Sequence, residues 1–471
     1  MSHPSSGHRG VAVGVGVGVD QSLVTQIRDA VNAAYGQAVR PEMGPADRRQ
    51  LTQALVQAEL VSASQRRAEQ GIPPLNVDAE AALERAVHDA IDGMGRLTAL
   101  LEIPGVEDIY IKGAQPVRLR MADGLVREHP PIADTPEDLM AQVQFWAAYL
   151  GSRERAFSEA NPILDMNLPD GSRLSALCNV TPEPEVTIRK HFYMDVTLDT
   201  MVSMGMITPA MQRFLIACVQ AKQTVLISGV PKCGKTTFLR ALSRAIDGYV
   251  RFATLETEFE LNLHTRPDAP PLLIPVEGRL GGVEKDAAGR AVGGIELADL
   301  LPSVLRHSVE LAIYGELRGP EAYAFLKGAT AGLPGSMATI HATDPRRAVN
   351  RLVAASMEAA PQMGPGYMTR MAAEGVNYIV QLERFDHSHI GGGQARFCSH
   401  IAEVTGLSND GMSLDMNMIF EPARDSLDPR GVRATEGGVQ LRTPFDRIGF
   451  DLSSMYDGDG WAGELDLGQA G

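Results

Sequence analysis

The run Thr224-Val225-Leu226-Ile227-Ser228-Gly229-Val230-Pro231-Lys232-Cys233-Gly234-Lys235-Thr236-Thr237 decides the fold. Gly229, Gly234, Lys235 and Thr236 stand at the spacing G-x-x-x-x-G-K-[ST]. A β-prone apolar run leads in and a helix-prone run, 238–246, leads out, which is the strand–loop–helix context of a phosphate-binding loop. Glycines let backbone N–H groups turn inward around a phosphate, and the new helix offers its positive end. Residues 229–237 are thus the candidate nucleotide-binding segment. Lys235 can reach the β- and γ-phosphates and Thr236 can ligate Mg²⁺. A Gly/Lys-rich turn matching by chance is the alternative, and the flanking runs count against it.

Downstream, the β-prone runs 250–255, 311–314, 336–340 and 377–382 alternate with helical patterns, so a largely parallel sheet with crossover helices is expected. Open α/β sheets bind ligands at the carboxyl ends of their strands. There the sequence places Glu256, Glu258 and Glu260, then Glu316 with Arg318, then His341. A carboxylate near Mg²⁺ and the γ-phosphate can orient or deprotonate water, and an adjacent arginine can offset charge on the transferring group. Glu316 could instead be a first-turn helix acid, but an apolar strand runs directly into it. For Glu256, Glu258 and Glu260 the first-turn reading is as good as the functional one. A lone histidine such as His341 is more often a packed or surface residue.

Upstream, 22–35, 46–70 and 77–101 carry apolar residues at three- and four-residue spacing and are predicted helices. Short β-prone runs follow from about 103, including 106–111 and 116–120, then a helix over 136–150. Arg173 and Arg189 lie beside turns or strand ends, where a guanidinium can project into a neighbouring site; a solvated arginine is the default for either. The expected organisation is a flexible tail 1–20, a helical region 21–102, a small α/β domain 103–195, a hinge 196–208, a nucleotide domain 209–421 and a weakly ordered tail 422–471. A Pro- and Gly-rich stretch, 264–295, reads as a mobile loop beside the site.

Composition sets the outer bounds. At 471 residues the chain is too long for one core. The net charge of -15 opposes general attraction to nucleic acid or an anionic membrane. Cys178, Cys218, Cys233 and Cys398 show no C-x-x-C spacing, which fits a reducing compartment without a structural zinc. The apolar run 11–19 is short, alternates with glycine and lacks a small-residue cleavage site, so a cytoplasmic protein without direct membrane insertion is expected.

Four blocks in order complete the reading: the phosphate loop, Thr-Leu-Glu-Thr-Glu-Phe-Glu-Leu (254–261), Tyr-Gly-Glu-Leu-Arg-Gly-Pro-Glu-Ala (314–322) and Gly-Ser-Met-Ala-Thr-Ile-His-Ala (335–342). Together they resemble the Walker A motif, Asp box, glutamate-ending Walker B motif and His box of the type II/type IV secretion and pilus ATPase superfamily, nearest its tight-adherence, CpaF-like branch. Leu-Pro-Asp-Gly-Ser-Arg, ending at Arg173, and Val-Thr-Ile-Arg-Lys, ending at Lys190, are similar to the family's N-domain arginine motifs; 401–406 and 418–420 resemble its closing strands.

The resemblance implies a RecA-like ATPase domain beside a smaller α/β N-domain, with ATP and Mg²⁺ as cofactors. It further implies a hexameric ring on the cytoplasmic face of a secretion or pilus machine, acting on an inner-membrane platform protein. By the same correspondence Lys235 and Thr236 hold phosphate and Mg²⁺, and Glu316 is the Walker B glutamate. Glu256 and Glu260 are Asp-box acids, His341 is the His-box histidine, and Arg173 and Arg189 approach the phosphates. Departures are Thr257 for an acid, Leu333 for a second histidine, Ser308-Val309-Glu310 before the Walker B strand, and Lys232-Cys233 inside the loop. A nucleotide-binding scaffold with little turnover and a nucleic-acid-translocating RecA-like ATPase stand as the alternatives.

Overall fold

The computed structural model describes residues 21–38, 45–149 apart from 74, 76, 93, 95 and 123, 157–190, 195–279, 293–386, 394–435, 438–456, and 460, 461, 463 and 465. The expected tail 1–20 lies outside the described residues. The chain divides between 191 and 192 into two compact units.

The N-terminal unit opens with helices α1 (Gln21–Ala38), α2 (Pro45–Glu69) and α3 (Val77–Asp92), which bury Ile27, Val31, Val56 and Val87 in a small core. A single helix was expected over 77–101, whereas α3 stops at Asp92 and α4 (Arg96–Glu102) follows. Met94, between them, lies outside both helices. Six antiparallel strands come next, in the order β3-β2-β1-β6-β5-β4. They are β1 (Val106–Lys112), β2 (Val117–Met121), β3 (Val126–His129), β4 (Ile163–Asn167), β5 (Arg173–Leu177) and β6 (Glu185–Arg189). Helix α5 (Pro136–Tyr149) contributes Leu139, Val143 and Trp146 to their core. Strand alternation fixes which side chains face away from it. Leu174, Ala176, Val186 and Ile188 are buried, so Arg173 and Arg189 share the opposite face, and they are paired in register.

The C-terminal unit begins with α6 (Leu198–Ser203) and α7 (Pro209–Gln220). It continues as β7 (Val225–Gly229), α8 (Lys235–Ser243), β8 (Phe252–Glu256), β9 (Leu273–Glu277), α9 (Leu297–Leu305), β10 (Leu311–Leu317), α10 (Glu321–Thr330), β11 (Met337–Ile340), α11 (Pro345–Ala359), α12 (Pro365–Gly375) and β12 (Tyr378–Asp386). The antiparallel strands β13 (Gln394–Leu407), β14 (Leu414–Pro422) and β15 (Gly431–Arg433) and the short helix α13 (Thr443–Arg447) complete it. Sheet order is β15-β14-β13-β12-β7-β11-β10-β8-β9, and every pairing from β12 to β9 is parallel. This is a RecA-like α/β fold with β7 inside the parallel sheet. Strand β7 is buried on both faces, Val225 and Ile227 entering one core and Leu226 the other.

Three sequence expectations need correction here. The stretch 196–208, expected as a hinge, holds α6, whose start is closed by a Thr197–Thr200 capping box. Val196, Leu198, Met201, Met206 and Ile207 are buried in the core that also takes Ile227, so this segment belongs to the nucleotide domain. Within 264–295, expected as a mobile loop, Leu273–Glu277 forms β9 at the sheet edge, where the missing N–H of Pro275 is tolerated; residues 280–292 lie outside the described residues. Within 422–471, expected as a weakly ordered tail, the described residues 422–435 and 438–456 are folded. Phe445 is fully buried and stacks on Phe214 at 5.7 Å, Arg213 donates to the Ser454 carbonyl at 2.8 Å, and Glu403 accepts the Gln440 and Leu441 N–H groups, each at 2.8 Å. A few widely spaced anchors, Val439, Phe445, Leu452 and Met455, are enough once a sheet is present to receive them, and average composition does not register them.

Candidate nucleotide-binding site

Strand β7 delivers the chain to Gly229, where a Cβ would lie 2.4 Å from Cys233 Sγ and 2.5 Å from the Leu382 carbonyl oxygen, so only glycine fits. Lys232 at φ +65° and Gly234 at φ +96° turn the loop back into α8. Gly234 has no side chain to cap the helix, so the first-turn N–H groups are offered toward the loop. Cys233 is fully buried and burial raises its thiol, making it a packing residue of the loop rather than a reactive one. Pro231 and Lys232 are exposed, and Thr236 and Thr237 are half-buried in the first turn of α8. These features fit a nucleotide's phosphates: a backbone cradle with no room for a Cβ, an open helix start and a lysine at its head. Thr236 is the residue that would hold Mg²⁺ beside phosphate oxygens. Among the described residues, no group of three or more His, Cys, Asp or Glu side chains is placed to hold a metal ion.

Lys235 is buried, which lowers its pKa. Its Nζ donates to the carbonyls of Gly229 at 3.0 Å and Val230 at 3.2 Å, and stands 3.0 Å from His341 Nδ1. An ammonium can only donate, so Nδ1 accepts and the ring proton of the neutral imidazole sits on Nε2. Nε2 lies 2.6 Å from Glu316 Oε1, and Arg318 Nη2 lies 2.5 Å from Glu316 Oε2. Burial by itself would raise the Glu316 carboxyl; contacts with His341 and Arg318 outweigh it and hold the group at about 2. Local chain geometry explains the aim of this carboxylate. The β10–β11 register shifts between Tyr314 and Leu317, and such irregularities re-aim side chains. Thr339 Oγ1 secures the displaced Gly315 carbonyl at 2.6 Å. The ends of β7, β11 and β10 thus join Lys235, His341, Glu316 and Arg318 in one line of contacts.

Glu256, expected among the catalytic acids, is placed differently. Its carboxylate is buried and Oε2 accepts the N–H groups of Glu260 at 2.9 Å and Leu261 at 2.7 Å, closing the turn after β8. Burial raises it to about 7 despite those bonds. Arg240 braces the same turn, donating to the Leu261 carbonyl at 2.9 Å and to that of Glu260. Glu260 is half-buried within this turn.

In the N-terminal unit Arg189 Nε pairs with Asp108 Oδ1 at 3.0 Å, and Tyr110 donates to the other carboxylate oxygen at 3.1 Å. Sequence reasoning missed Asp108: it stands beside Glu107 in β1, and nothing in that pattern separates it from a surface acid. It also missed Arg396, whose Nε donates to the Lys232 carbonyl at 3.1 Å from β13, ahead of the stretch 401–406 that resembles the family's closing strands. Of the family departures, Leu333 is buried core and Glu310 pairs with Lys222 at 2.7 Å. Thr257 lines a cavity of about 180 Å³ with Gly278, Arg279 and Glu321.

Fold and site together define a P-loop nucleotide-binding protein of the RecA-like class. The type II/IV secretion system protein family matches residues 100–384, more than half of the chain, and the chain belongs to that family. Type IV secretion system protein PtlH of Bordetella pertussis is 29% identical over 258 residues, covering 49% of this chain and 73% of PtlH. The uncharacterised protein MJ0900 of Methanocaldococcus jannaschii is 29% identical over 265 residues, 55% of this chain and 45% of that protein; the match thus spans less than half of the archaeal relative. Among solved structures, the Legionella pneumophila ATPase DotB is 16% identical with a TM-score of 0.46, covering 69% of this chain and 82% of that one. No helix among the described residues is long and apolar enough to cross a membrane.

Proposed function

We propose that this protein is an ATP-hydrolysing motor that powers protein secretion, or assembly of a tight-adherence-like pilus, from the cytoplasmic side. The observation that carries the reading is the contact line Lys235–His341–Glu316–Arg318 at the carboxyl ends of three strands, one of them leading into the phosphate loop. Lys235 binds the β- and γ-phosphates, exchanging backbone carbonyls for phosphate oxygens. Mg²⁺, held at Thr236, would neutralise phosphate charge. Glu316 stays ionised at neutral pH and, with its carboxyl held at about 2, is a weak proton acceptor. With Arg318 against it, Glu316 orients the attacking water and fixes charge; when Arg318 moves to the transferring group, burial makes the carboxylate a stronger proton acceptor. Arg318, whose side chain is 64% exposed, can swing to the transferring group. His341 touches both Lys235 and Glu316, so engagement of Lys235 by phosphate alters the partner that fixes its ring.

By family, Arg173 and Arg189 would be the phosphate-directed arginines; Asp108 holds Arg189 at 3.0 Å. Glu256 and Glu260 shape the turn after β8 that frames the site. By family, the protein would work as a hexameric ring against a membrane platform protein. Its net charge of -15 weighs against nucleic acid as the partner.

Steady-state phosphate release with ATP and Mg²⁺, measured beside Lys235→Ala and Glu316→Gln and with the mass of the assembly, tests this reading. Turnover from a ring, abolished by both substitutions, is expected. Nucleotide binding without turnover by the assembled wild type would overturn it and leave a scaffold.

A further inference from the structure

We infer that Arg396 is a positioning residue of the phosphate loop and that the β12–β13 hairpin, outside all four sequence motifs, holds the loop in its nucleotide-accepting shape. The inference rests on the functional reading only in naming ATP as the ligand. Two contacts carry it, one at each end of the loop. At the start, the Leu382 carbonyl of β12 lies so close to Gly229 that it would stand 2.5 Å from a Cβ there. At the far side, Arg396 Nε of β13 donates to the Lys232 carbonyl at 3.1 Å, and Arg396 Cδ lies 3.9 Å from the place a Gly234 Cβ would take.

Lys232 is where such support matters. It has a left-handed backbone at φ +65° yet carries a side chain, and that conformation persists only where surrounding contacts impose it. The hairpin is itself fixed in place. Cys398 donates its backbone N–H to the Met206 carbonyl at 2.8 Å, and Met206 Cε comes within 3.2 Å of the Gly234 Cβ position. Register also matters: Arg384 and Arg396 are direct cross-strand partners, a pairing of like charges. Arg384 turns to the Asp386 carboxylate, which Gln394 also contacts at 2.9 Å, while Arg396 reaches the loop. A guanidinium beside a phosphate-binding loop adds positive field where the nucleotide's charge would lie.

The test compares Arg396→Ala, Arg396→Gln and Arg396→Lys with wild type by amide hydrogen exchange over residues 230–236, by ATP affinity with Mg²⁺, and by KM and kcat. With Arg396→Ala, exchange in the loop and the KM and Kd for ATP are each expected to rise about tenfold, the scale of one charge-assisted hydrogen bond, with kcat nearly unchanged. Lysine should restore part of the affinity and glutamine less. Loop exchange and affinity at wild-type values would overturn the inference. So would a rise in exchange spread evenly over the C-terminal unit, which marks a merely structural role. A wild type that binds ATP without turning it over defeats the motor reading alone, since loop exchange and Kd still decide the role of Arg396. If wild type binds no ATP, unchanged loop exchange in Arg396→Ala still overturns the inference.

Discussion

Glu256 and Glu316 close neighbouring parallel strands, β8 and β10, and present the same side chain in opposite circumstances. Around Glu316 are an imidazole at 2.6 Å and a guanidinium at 2.5 Å, and the carboxyl is held at about 2. Around Glu256 are the turn's backbone N–H groups, with Glu260 and the buried Arg240 near by, and burial raises the carboxyl to about 7. The two sites nearly touch: a Cβ on Gly315 would lie 3.2 Å from Glu256 Cγ. Two acids at neighbouring strand ends therefore stand in opposite surroundings. What separates the two is whether the neighbours are groups that phosphate chemistry uses or the turn that carries them.

The largest effect that would sharpen this contrast is loss of the Glu316 charge. Glu316→Gln should lower phosphate release about 10²- to 10³-fold while nucleotide affinity stays close to wild type. A smaller effect should follow Arg318→Ala, about tenfold in kcat at neutral pH. Removing the guanidinium also lets burial act on Glu316, so the acid limb of the pH–rate profile should move to higher pH; an unmoved limb would break the proposed pairing. Smallest in activity is Glu256→Gln, which should change kcat by no more than about threefold, because an amide oxygen can still accept the two turn N–H groups.

Stability against pH separates the two carboxylates again. Glu256 has a folded-state value of about 7 against an ordinary 4.5, so its contribution is fully present below about 4.5 and is lost as pH rises through about 7. The span corresponds to on the order of 3 kcal/mol at most. Denaturant unfolding of Glu256→Gln should lack this decline. Glu316 runs the other way: its stabilisation is present above 4.5 and is lost as pH falls through about 2.

The parallel sheet and the phosphate loop were legible because their signals are local. An apolar run ending in Gly229 and a helix opening at Lys235 need no distant partner to be recognised. Glu316 and His341 were legible by position, but their mutual contact depends on the irregular register after Tyr314, which no spacing reveals. Glu256 matched its motif and yet turned inward, since the direction of a side chain at a strand end depends on which turn amides lie within reach. Strand β9 was hidden by Pro275, and the folded segment 438–456 by its polar composition. Arg396 stands 164 residues from the carbonyl it holds, and only the completed β12–β13 hairpin brings the two together.

The most direct test is phosphate release by Glu256→Gln and Glu316→Gln side by side at neutral pH, each shown by its unfolding curve to be folded. Turnover retained in Glu256→Gln and lost in Glu316→Gln is the result expected if one strand end performs chemistry and the other shapes the turn. A folded Glu256→Gln as inactive as Glu316→Gln would contradict it and place both acids in the reaction.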